Sequence, residues 1–524
     1  MSVTELQRNL IERVSVGDIL TRTAARFPDK PAVIDGDVEL RYRELNERAC
    51  RLANALLDRG LEGGEPVGLM LRNGWEFLVC YFACAKADLV AAPVNLGLGP
   101  REMAYCLNDA GVRLLLAEPE FADAVGEMAG SLPKLESVFW TTADAVPAAP
   151  RTAGRMQDLL EAGDAAEPQV VVHDRDPVQL LYTSGTTSMP KGVLTSHLAV
   201  TITALSVGMH NKYDLHDTAL EVLPLFHCAA LNSRTIPALL AGSTVVLLRE
   251  FDARQVAGLI ERYRITSIFL LPMMYRGLLA DPEAAGRDLG SVRLAVYAMT
   301  PLDDALLARI AAAMPGAAVV LGSGQTEFTP PTTHQRPEHQ ASKAASWGPS
   351  TPMVQVEIMD PEGRLLPRGE IGEIVYRGPQ VMNGYLNLPD ATGAAMEHGW
   401  FHSGDVGYLD DEGVVWFTDR KKDMIKTGGE NVASIEVERL LLGHPDVADV
   451  SVIGFPDERW GEAVTALVIP AEGRQPDETG LIAYCKEHLA GFKVPKRVYF
   501  MEEFPRTGTG KIQKHMLRKE MQER

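Results

Sequence analysis

Cysteine is scarce in this chain: six residues in 524, Cys50, Cys80, Cys84, Cys106, Cys228 and Cys485. Only Cys80 and Cys84 have a helix-face spacing, and neither stands near a pair of histidines, so buried thiols are expected rather than a metal site or a disulfide framework. Long apolar runs are missing as well. The longest candidate, Phe77 to Ala85, stops at Lys86, far short of the roughly 18 residues a membrane helix needs. The opening "MSVTELQRNLIERV" carries charges where a signal peptide has its apolar segment, and a soluble, cytoplasmic protein without an integral membrane segment is expected. Basic residues are outnumbered, 51 against 70 acidic, for a formal net charge of −19. Non-specific nucleic-acid affinity comes from a basic surface, so a general nucleic-acid binder is excluded. An anionic ligand must be held by local groups. Internal repeats and low-complexity segments are absent too.

What is present is an ordinary globular composition, 46% hydrophobic and 23% charged, in a chain long enough for more than one domain. From Val14 to Ala117 helical and extended patterns alternate. Leu45, Ala49, Leu52, Ala53, Leu56 and Leu57 recur at helical spacing, "AVIDGDVELRY" reads as a hairpin with an Asp-Gly turn, and Pro100 sits where a first helical residue is tolerated. The β-branched runs "STVVLL", "ITSIFLL" and "AAVVLGSG" are separated by helical stretches such as Ala253 to Tyr263 and Asp303 to Met314. This βαβ rhythm predicts mostly parallel sheets flanked by helices. After Thr351, "VQVEIMDPEGRLLPRGEIGEIVYRG" has the short strands and Gly/Pro turns of an antiparallel β region. "FTDRKKDMIKTGGENV" combines charges with two glycines between a strand and a helix, as an exposed junction does. The roughly 100 residues beyond it can fold as a small α+β domain. The boundary is placed at Lys422, giving domains 1–421 and 422–524.

The stretch "LLYTSGTTSMPKGVLTSH", Leu180 to His197, is entered from a plausible strand and left through a Ser196 helix cap. A loop rich in Gly, Ser and Thr exposes backbone N–H groups and hydroxyls at short intervals, as a polyanionic phosphate requires, and Lys191 adds a charge. The pattern G-x-x-x-x-G-K-[ST] fails here, since Pro190 and Gly192 stand at the wrong places, which argues against a Walker-type nucleotidase.

The whole string resembles the phosphate loop of the adenylate-forming superfamily: acyl-CoA synthetases, peptide-synthetase adenylation domains and luciferases. Further segments resemble that family in order. They are "PLFHCAAL" (Pro224 to Leu231), "GSGQTE" (Gly322 to Glu327), "GEIVYRGPQVMNGY" (Gly372 to Tyr385), "WFHSGDVGYLDDEG" (Trp400 to Gly413), "DRKKDMIKTGGENV" (Asp419 to Val432) and "PRTGTGKIQK" (Pro505 to Lys514). The resemblance implies an α/β fold: a large N-terminal domain of helix-flanked mixed sheets with a small β-barrel-like region, then a small mobile α+β C-terminal domain.

It also implies roles. Thr183, Ser184, Gly185, Thr186, Thr187 and Lys191 would hold the ATP phosphates, with Met299, Thr300, Gly324, Gln325 and Thr326 completing the nucleotide site. Glu327 would hold Mg²⁺, and Asp405, an acceptor-only carboxylate, would take the ribose hydroxyls with Arg420 beside it. Lys511 would bridge the acid and the α-phosphate during adenylation. His227, Cys228, Asn232, Met299 and Gly322 would line the acyl pocket. Lys422 would be the hinge, and Lys426, Gly428 and Gly429 would serve the second step. Glu327, Arg420, His227 and Lys511 form the implied catalytic set.

Two departures stand out: Ser323 where the family carries an aromatic that stacks on adenine, and "AMTPL" (Ala298 to Leu302) where it carries small residues. The implied reaction joins a medium- or long-chain or bulky apolar acid to ATP as an acyl adenylate, releases pyrophosphate and passes the acyl group to coenzyme A. Delivery to an amine or to a carrier protein shares the first step and stays open. A non-catalytic acyl-nucleotide binding protein is opposed by Lys511, Glu327, Asp405 and Arg420. A homodimer is also left open.

Overall fold

The structure, a computed structural model, describes residues 3–141, 145–183, 189–298, 302–506 and 512–523. The chain divides by packing into two compact units. The first comprises Met1–Thr183, Met189–Gln355 and Tyr376–Glu397; the second includes Val356–Val375 and His398–Arg524.

The first unit is built on two eight-stranded sheets. In one, the strands Pro31–Asp35, Thr244–Leu247, Thr218–Glu221, Ser267–Phe269, Leu294–Tyr297 and Ala318–Ser323 run parallel in that spatial order, with antiparallel edges at Val38–Arg41 and Thr333–His334. In the other, Thr152–Arg155, Ser137–Trp140, Leu114–Ala117, Pro66–Met70, Val90–Pro93 and Pro177–Thr183 run parallel, and Lys191–Ser196 and Gly384–Tyr385 continue the sheet antiparallel. The βαβ runs read from the sequence are therefore the parallel cores of these sheets, and helix Ala253–Tyr263 has the ends its pattern predicts.

The apolar run at Phe77 forms the helix Trp75–Lys86, in which every residue from Phe77 to Lys86 is buried. It packs on strands of both sheets, so no face needs polar residues, which is the pattern of a fully enclosed helix. Each fully buried aliphatic or aromatic side chain there contributes about 1.5 to 3 kcal/mol. Lys86, the one charge in that buried stretch, reaches Glu167 at 2.7 Å. Cys80 and Cys84 lie in this helix, and all six cysteines are buried and unbridged. No helix among the described residues is long and apolar enough to cross a membrane.

The second unit holds a four-stranded sheet in the order Gln355–Met359, Gly372–Arg377, Phe401–Leu409, Val415–Arg420, and a five-stranded sheet built on Val447–Asp457 and Gly461–Pro470. Helices Ser434–Leu442 and Glu478–His488 contribute Val437, Leu441, Leu481 and Cys485 to an apolar core with the longer sheet. Asp419, 1% exposed, accepts from the Ser434 N–H at the helix start, so the end of one sheet is tied to the first helix beyond it. This unit takes in residues on both sides of Lys422. Lys422, the expected boundary between domains 1–421 and 422–524, falls inside this unit.

Candidate active site

Strands Pro177–Thr183 and Lys191–Ser196 form an antiparallel hairpin in the register Thr183↔Lys191 and Tyr182↔Gly192. Gly192 has a steric reason: a Cβ there would lie 2.8 Å from Leu180 Cδ1 and 3.1 Å from Tyr182 Cζ. The Tyr182 hydroxyl donates to Asp109 Oδ2 at 2.8 Å, fixing one side of the hairpin. Ser196 caps the following helix through its hydroxyl, which accepts from Ala199 N at 3.2 Å. The two-residue strand Gly384–Tyr385 pairs with the other edge, Tyr385↔Val193, and Leu386 N donates to Gly192 O at 2.8 Å.

This third strand carries the residue that organises the site. The Tyr385 hydroxyl donates to Glu327 Oε1 at 3.1 Å, and its ring centroid lies 4.8 Å from Lys191 Nζ. Burial first, then the Glu327 charge, holds the phenol above its ordinary range, so it stays a donor at neutral pH. Glu327 stands on the tight turn Thr326–Phe328, and its carbonyl accepts from Met382 N at 2.9 Å. A cation, a phenol and a carboxylate are thereby held in one row. A single half-buried carboxylate suits Mg²⁺, which keeps several waters and takes one or two carboxylates with substrate phosphates. The described residues contain no closed cage of three or more metal-ligating groups.

The turn also meets the expected acyl segment. Cys228 Sγ lies 3.3 Å from Thr326 Oγ1, and His227 precedes it as the cap of a short helical turn, its Nδ1 accepting from Ala229 N at 3.3 Å. That bond places the hydrogen of the neutral ring on Nε2. Gln325 leaves its buried amide nitrogen without a partner among the described residues, beside Thr326. Gly324 is needed because a Cβ would come within 2.8 Å of Pro330.

Thr183, Lys191, Thr326, Glu327, His227 and Cys228 are thus linked by direct contacts or by one intermediary. Asn232 stands apart: it has no exposed surface and exchanges two 3.0 Å hydrogen bonds with the side chain of Gln179, whose oxygen also accepts from Tyr81. The structure therefore places Asn232 in a buried amide pair, not on open wall. Gly322 pairs with His334 across a strand edge. Ser184, Gly185, Thr186, Thr187, Met299, Thr300 and Lys511 lie outside the described residues.

In the second unit, Asp405 and Arg420 face each other across two antiparallel strands, with Arg420 Nε 3.4 Å from Asp405 Oδ1. Asp405 is 8% exposed and its N–H donates to Ser403 Oγ at 3.0 Å. Lys422 follows at an exposed turn. Lys426 points outward from the strand Ile425–Thr427, and Gly428 and Gly429 are the two turn residues of its hairpin with Glu430–Val432. Both glycines have positive φ, 59° and 87°, a tight two-residue turn that glycine favours. A Cβ on Gly428 would meet the Trp460 ring at 2.9 Å, whereas Gly429 has nothing within 4 Å. The base of the Lys511 segment is defined: Arg506 bridges Ile512, and helix Lys514–Glu523 is anchored by Lys514 on Glu438 at 2.8 Å and Arg518 on Asp423 at 2.9 Å.

Comparison with known proteins decides the family: the AMP-binding enzyme family matches residues 20–386, and the AMP-binding enzyme C-terminal domain matches residues 436–511. The chain belongs to the AMP-binding enzyme family. Curated relatives in this family include a feruloyl-CoA synthase of Amycolatopsis sp, 38% identical over 508 residues, covering 96% of this chain and 98% of the relative. An indoleacetate–CoA ligase of Aromatoleum aromaticum is 37% identical over 503 residues, 95% of this chain and 94% of the relative. The long-chain-fatty-acid–CoA ligase FadD13 of Mycobacterium tuberculosis is 34% identical over 509 residues, 97% and 98% of the two chains. Among solved structures, the anthranilate CoA ligase AuaEII in complex with anthranoyl-AMP matches with a TM-score of 0.88 and 28% identity, over 98% of both chains. ATP-bound MatB from Rhodopseudomonas palustris matches with a TM-score of 0.86 and 30% identity, over 96% of this chain and 98% of that one.

Sequence reasoning passed over Tyr385 as a site residue. It closes a segment quoted only for its family likeness, and nothing in the sequence announces that residue 385 pairs with residue 193.

Proposed function

We propose that the protein activates a bulky carboxylic acid, aryl or alkyl, at the row Lys191–Tyr385–Glu327 and the adjoining His227–Cys228 turn, with Mg²⁺ and the residue roles implied by the resemblance. The enzyme is an AMP-forming acyl-CoA synthetase: it joins its acid to ATP as an acyl adenylate and then makes the thioester with CoA. The observation that carries the reading is the hydrogen bond from Tyr385 to Glu327 beneath Lys191.

The chemistry asks for charge control. A carboxylate attacking the α-phosphate brings two anions together, and a pair of unit charges at 4 Å costs about 4 kcal/mol at an effective dielectric of 20. Lys191 supplies a fixed positive charge at the mouth of the phosphate hairpin. His227 offers its Nε2 hydrogen to the acid, and Thr326 stands next to Cys228 where the two substrates meet. Mg²⁺ on Glu327, when bound, would neutralise phosphate oxygens, and Tyr385 holds that carboxylate in one orientation. Asp405, with Arg420 beside it, presents acceptor oxygens suited to a ribose diol. Rotation about Lys422 is the proposed exchange between the two half-reactions, Lys511 serving the first and the Lys426–Gly429 hairpin the second. The domain boundary at Lys422 and a cytoplasmic location belong to the same proposal.

The separating experiment is Lys511→Ala. It should abolish acyl-adenylate formation, read as pyrophosphate release, while leaving thioester formation from supplied acyl adenylate within about threefold of the parent. Equal loss of both half-reactions would contradict the exchange of roles.

A further inference from the structure

Arg234 is 1% exposed and follows His227 by seven residues, inside a single π turn, Leu231–Thr235. Such turns interrupt a helix at a cost and are frequent at functional sites. Of its guanidinium nitrogens, Nη1 donates to Ser267 Oγ at 3.0 Å, while Nε and Nη2 have no hydrogen-bond partner among the described residues. The rings of Tyr213 and Phe269 flank it at 5.8 and 6.0 Å. A guanidinium is always charged and has five hydrogens to place, so a buried one with idle donors calls for acceptor oxygens.

No described carboxylate hydrogen-bonds to those idle donors, although Glu221 lies close enough to feel the Arg234 charge. Glu221, also buried, directs its oxygens to Leu223 N at 3.1 Å and Thr235 Oγ1 at 3.5 Å. Burial pushes its carboxyl up, and the Arg234 charge opposes that rise. His334 supplies no negative charge, and burial keeps its ring neutral, its pKa pushed down to about 3.

The turn that carries Arg234 is joined to segments expected to line the acyl pocket. His334, whose ring lies tilted against that of His210 with centroids 4.2 Å apart, lies 3.5 Å from where a Gly322 Cβ would sit. Ser233 donates to Pro330 O at 2.8 Å, joining the π turn to the loop that follows Thr326–Phe328. His227 caps a short α turn, Cys228–Ala230, that runs into the π turn, and seven residues at helical rise span about 10 Å. We propose that Arg234 selects acids whose far end carries an acceptor oxygen about 10 Å from the carboxylate that is activated. This rests on the acid-activating reading above and narrows it: an unsubstituted alkyl tail would leave the donors idle, whereas a phenol, ketone or second carboxylate would fill them.

The test is a matched series on the full-length enzyme with ATP, Mg²⁺ and CoA. Nonanoate is compared with 9-hydroxynonanoate, 8-oxononanoate and nonanedioate, and cinnamate with 4-hydroxycinnamate, by kcat/KM for pyrophosphate release. The expected result is a preference of about tenfold or more for oxygenated members, which falls to near unity in Arg234→Met and is partly kept in Arg234→Lys. A purely structural arginine would change stability without moving that ratio. No oxygen preference in the parent enzyme, or a preference that survives in a folded Arg234→Met, overturns the proposal. Since the parent series stands alone, a variant that fails to fold does not shield it. If plain acids react and oxygen brings no gain, only this inference falls; if no acid of any kind yields AMP, the acid-activating reading falls with it.

Discussion

Replacing Tyr385 by phenylalanine removes one oxygen and leaves the ring under Lys191. The lost bond is a 3.1 Å donation to Glu327 Oε1, and a hydrogen bond to a charged group is worth about 1.5 to 3 kcal/mol. Because Glu327 is only half-buried, water can replace part of the bond, and the lower end applies: about 1.5 kcal/mol, or roughly tenfold in rate. If Glu327 holds Mg²⁺, the loss should appear as a higher Mg²⁺ requirement. Tyr385→Leu removes the ring as well, and with it the attraction to Lys191 at 4.8 Å, worth about 0.5 to 2 kcal/mol more. The assay is pyrophosphate release across a magnesium titration, for parent, Tyr385→Phe, Tyr385→Leu and the same changes on a Lys191→Met background. Tyr385→Leu should lose more than Tyr385→Phe on the parent background, and the two should converge once Lys191 is gone. Full activity and an unaltered magnesium curve in Tyr385→Phe would refute the role assigned to this row.

Asn232→Leu should destabilise the protein by about 2 to 4 kcal/mol, since it breaks two buried bonds and strands the Gln179 amide. Thermal unfolding would show that loss, while the ranking of acid substrates stays as in the parent; a changed ranking would return Asn232 to the acyl wall. Glu221 has its pKa raised from 4.5 to about 8 in the folded state, so its contribution to stability is complete below 4.5 and is lost as pH rises through 8. The slope is at most about 1.4 kcal/mol per pH unit. Glu221→Gln should therefore flatten the fall in stability between pH 5 and 8, measured by denaturant unfolding at several pH values. His197 and His334, both lowered by burial to about 3, act in the opposite sense, adding stability as pH rises from 3 to 6.5. Gly429→Ala forces a side chain into φ +87° at about 1 to 2 kcal/mol without touching a neighbour. Thioester formation from supplied acyl adenylate should slow while pyrophosphate release is unchanged, and equal slowing of both would dissociate the turn from the second step.

Much of the scaffold was legible because its signals are local. The runs at Thr244, Ser267 and Ala318 are strands, and the helices at Ala253 and Asp304 end within a residue of their patterns. Even so, the hairpin near Asp35 turns on Gly36 and Asp37, since Asp35 pairs with Val38; the Gly at φ +59° takes the first turn position instead of the second. What a motif implies about chemistry also reached the correct family: the ordered segments from Leu180 to Tyr385 fall within its first match and Pro505 to Lys511 within its second, while Trp400–Gly413 and Asp419–Val432 lie between the two. What depends on three-dimensional pairing was hidden. Asn232 reads as a polar wall residue until Gln179, 53 positions away, is seen to take both ends of its amide. Gly428 and Gly429 read as room for a ligand, but their φ values give a backbone reason and Trp460 already fills the space beside Gly428. Arg234 sits in sequence between Asn232-Ser233 and Thr235, as in any short polar stretch, and its burial and idle donors emerge only in three dimensions.

The most direct measurement follows the fate of ATP in a single reaction with a competent acid. The account predicts one AMP and one pyrophosphate per acid consumed, with acyl adenylate accumulating on the enzyme when CoA is withheld and acyl-CoA appearing when it is added. Formation of ADP and phosphate, or thioester formation with no adenylate trapped in the absence of CoA, would contradict it.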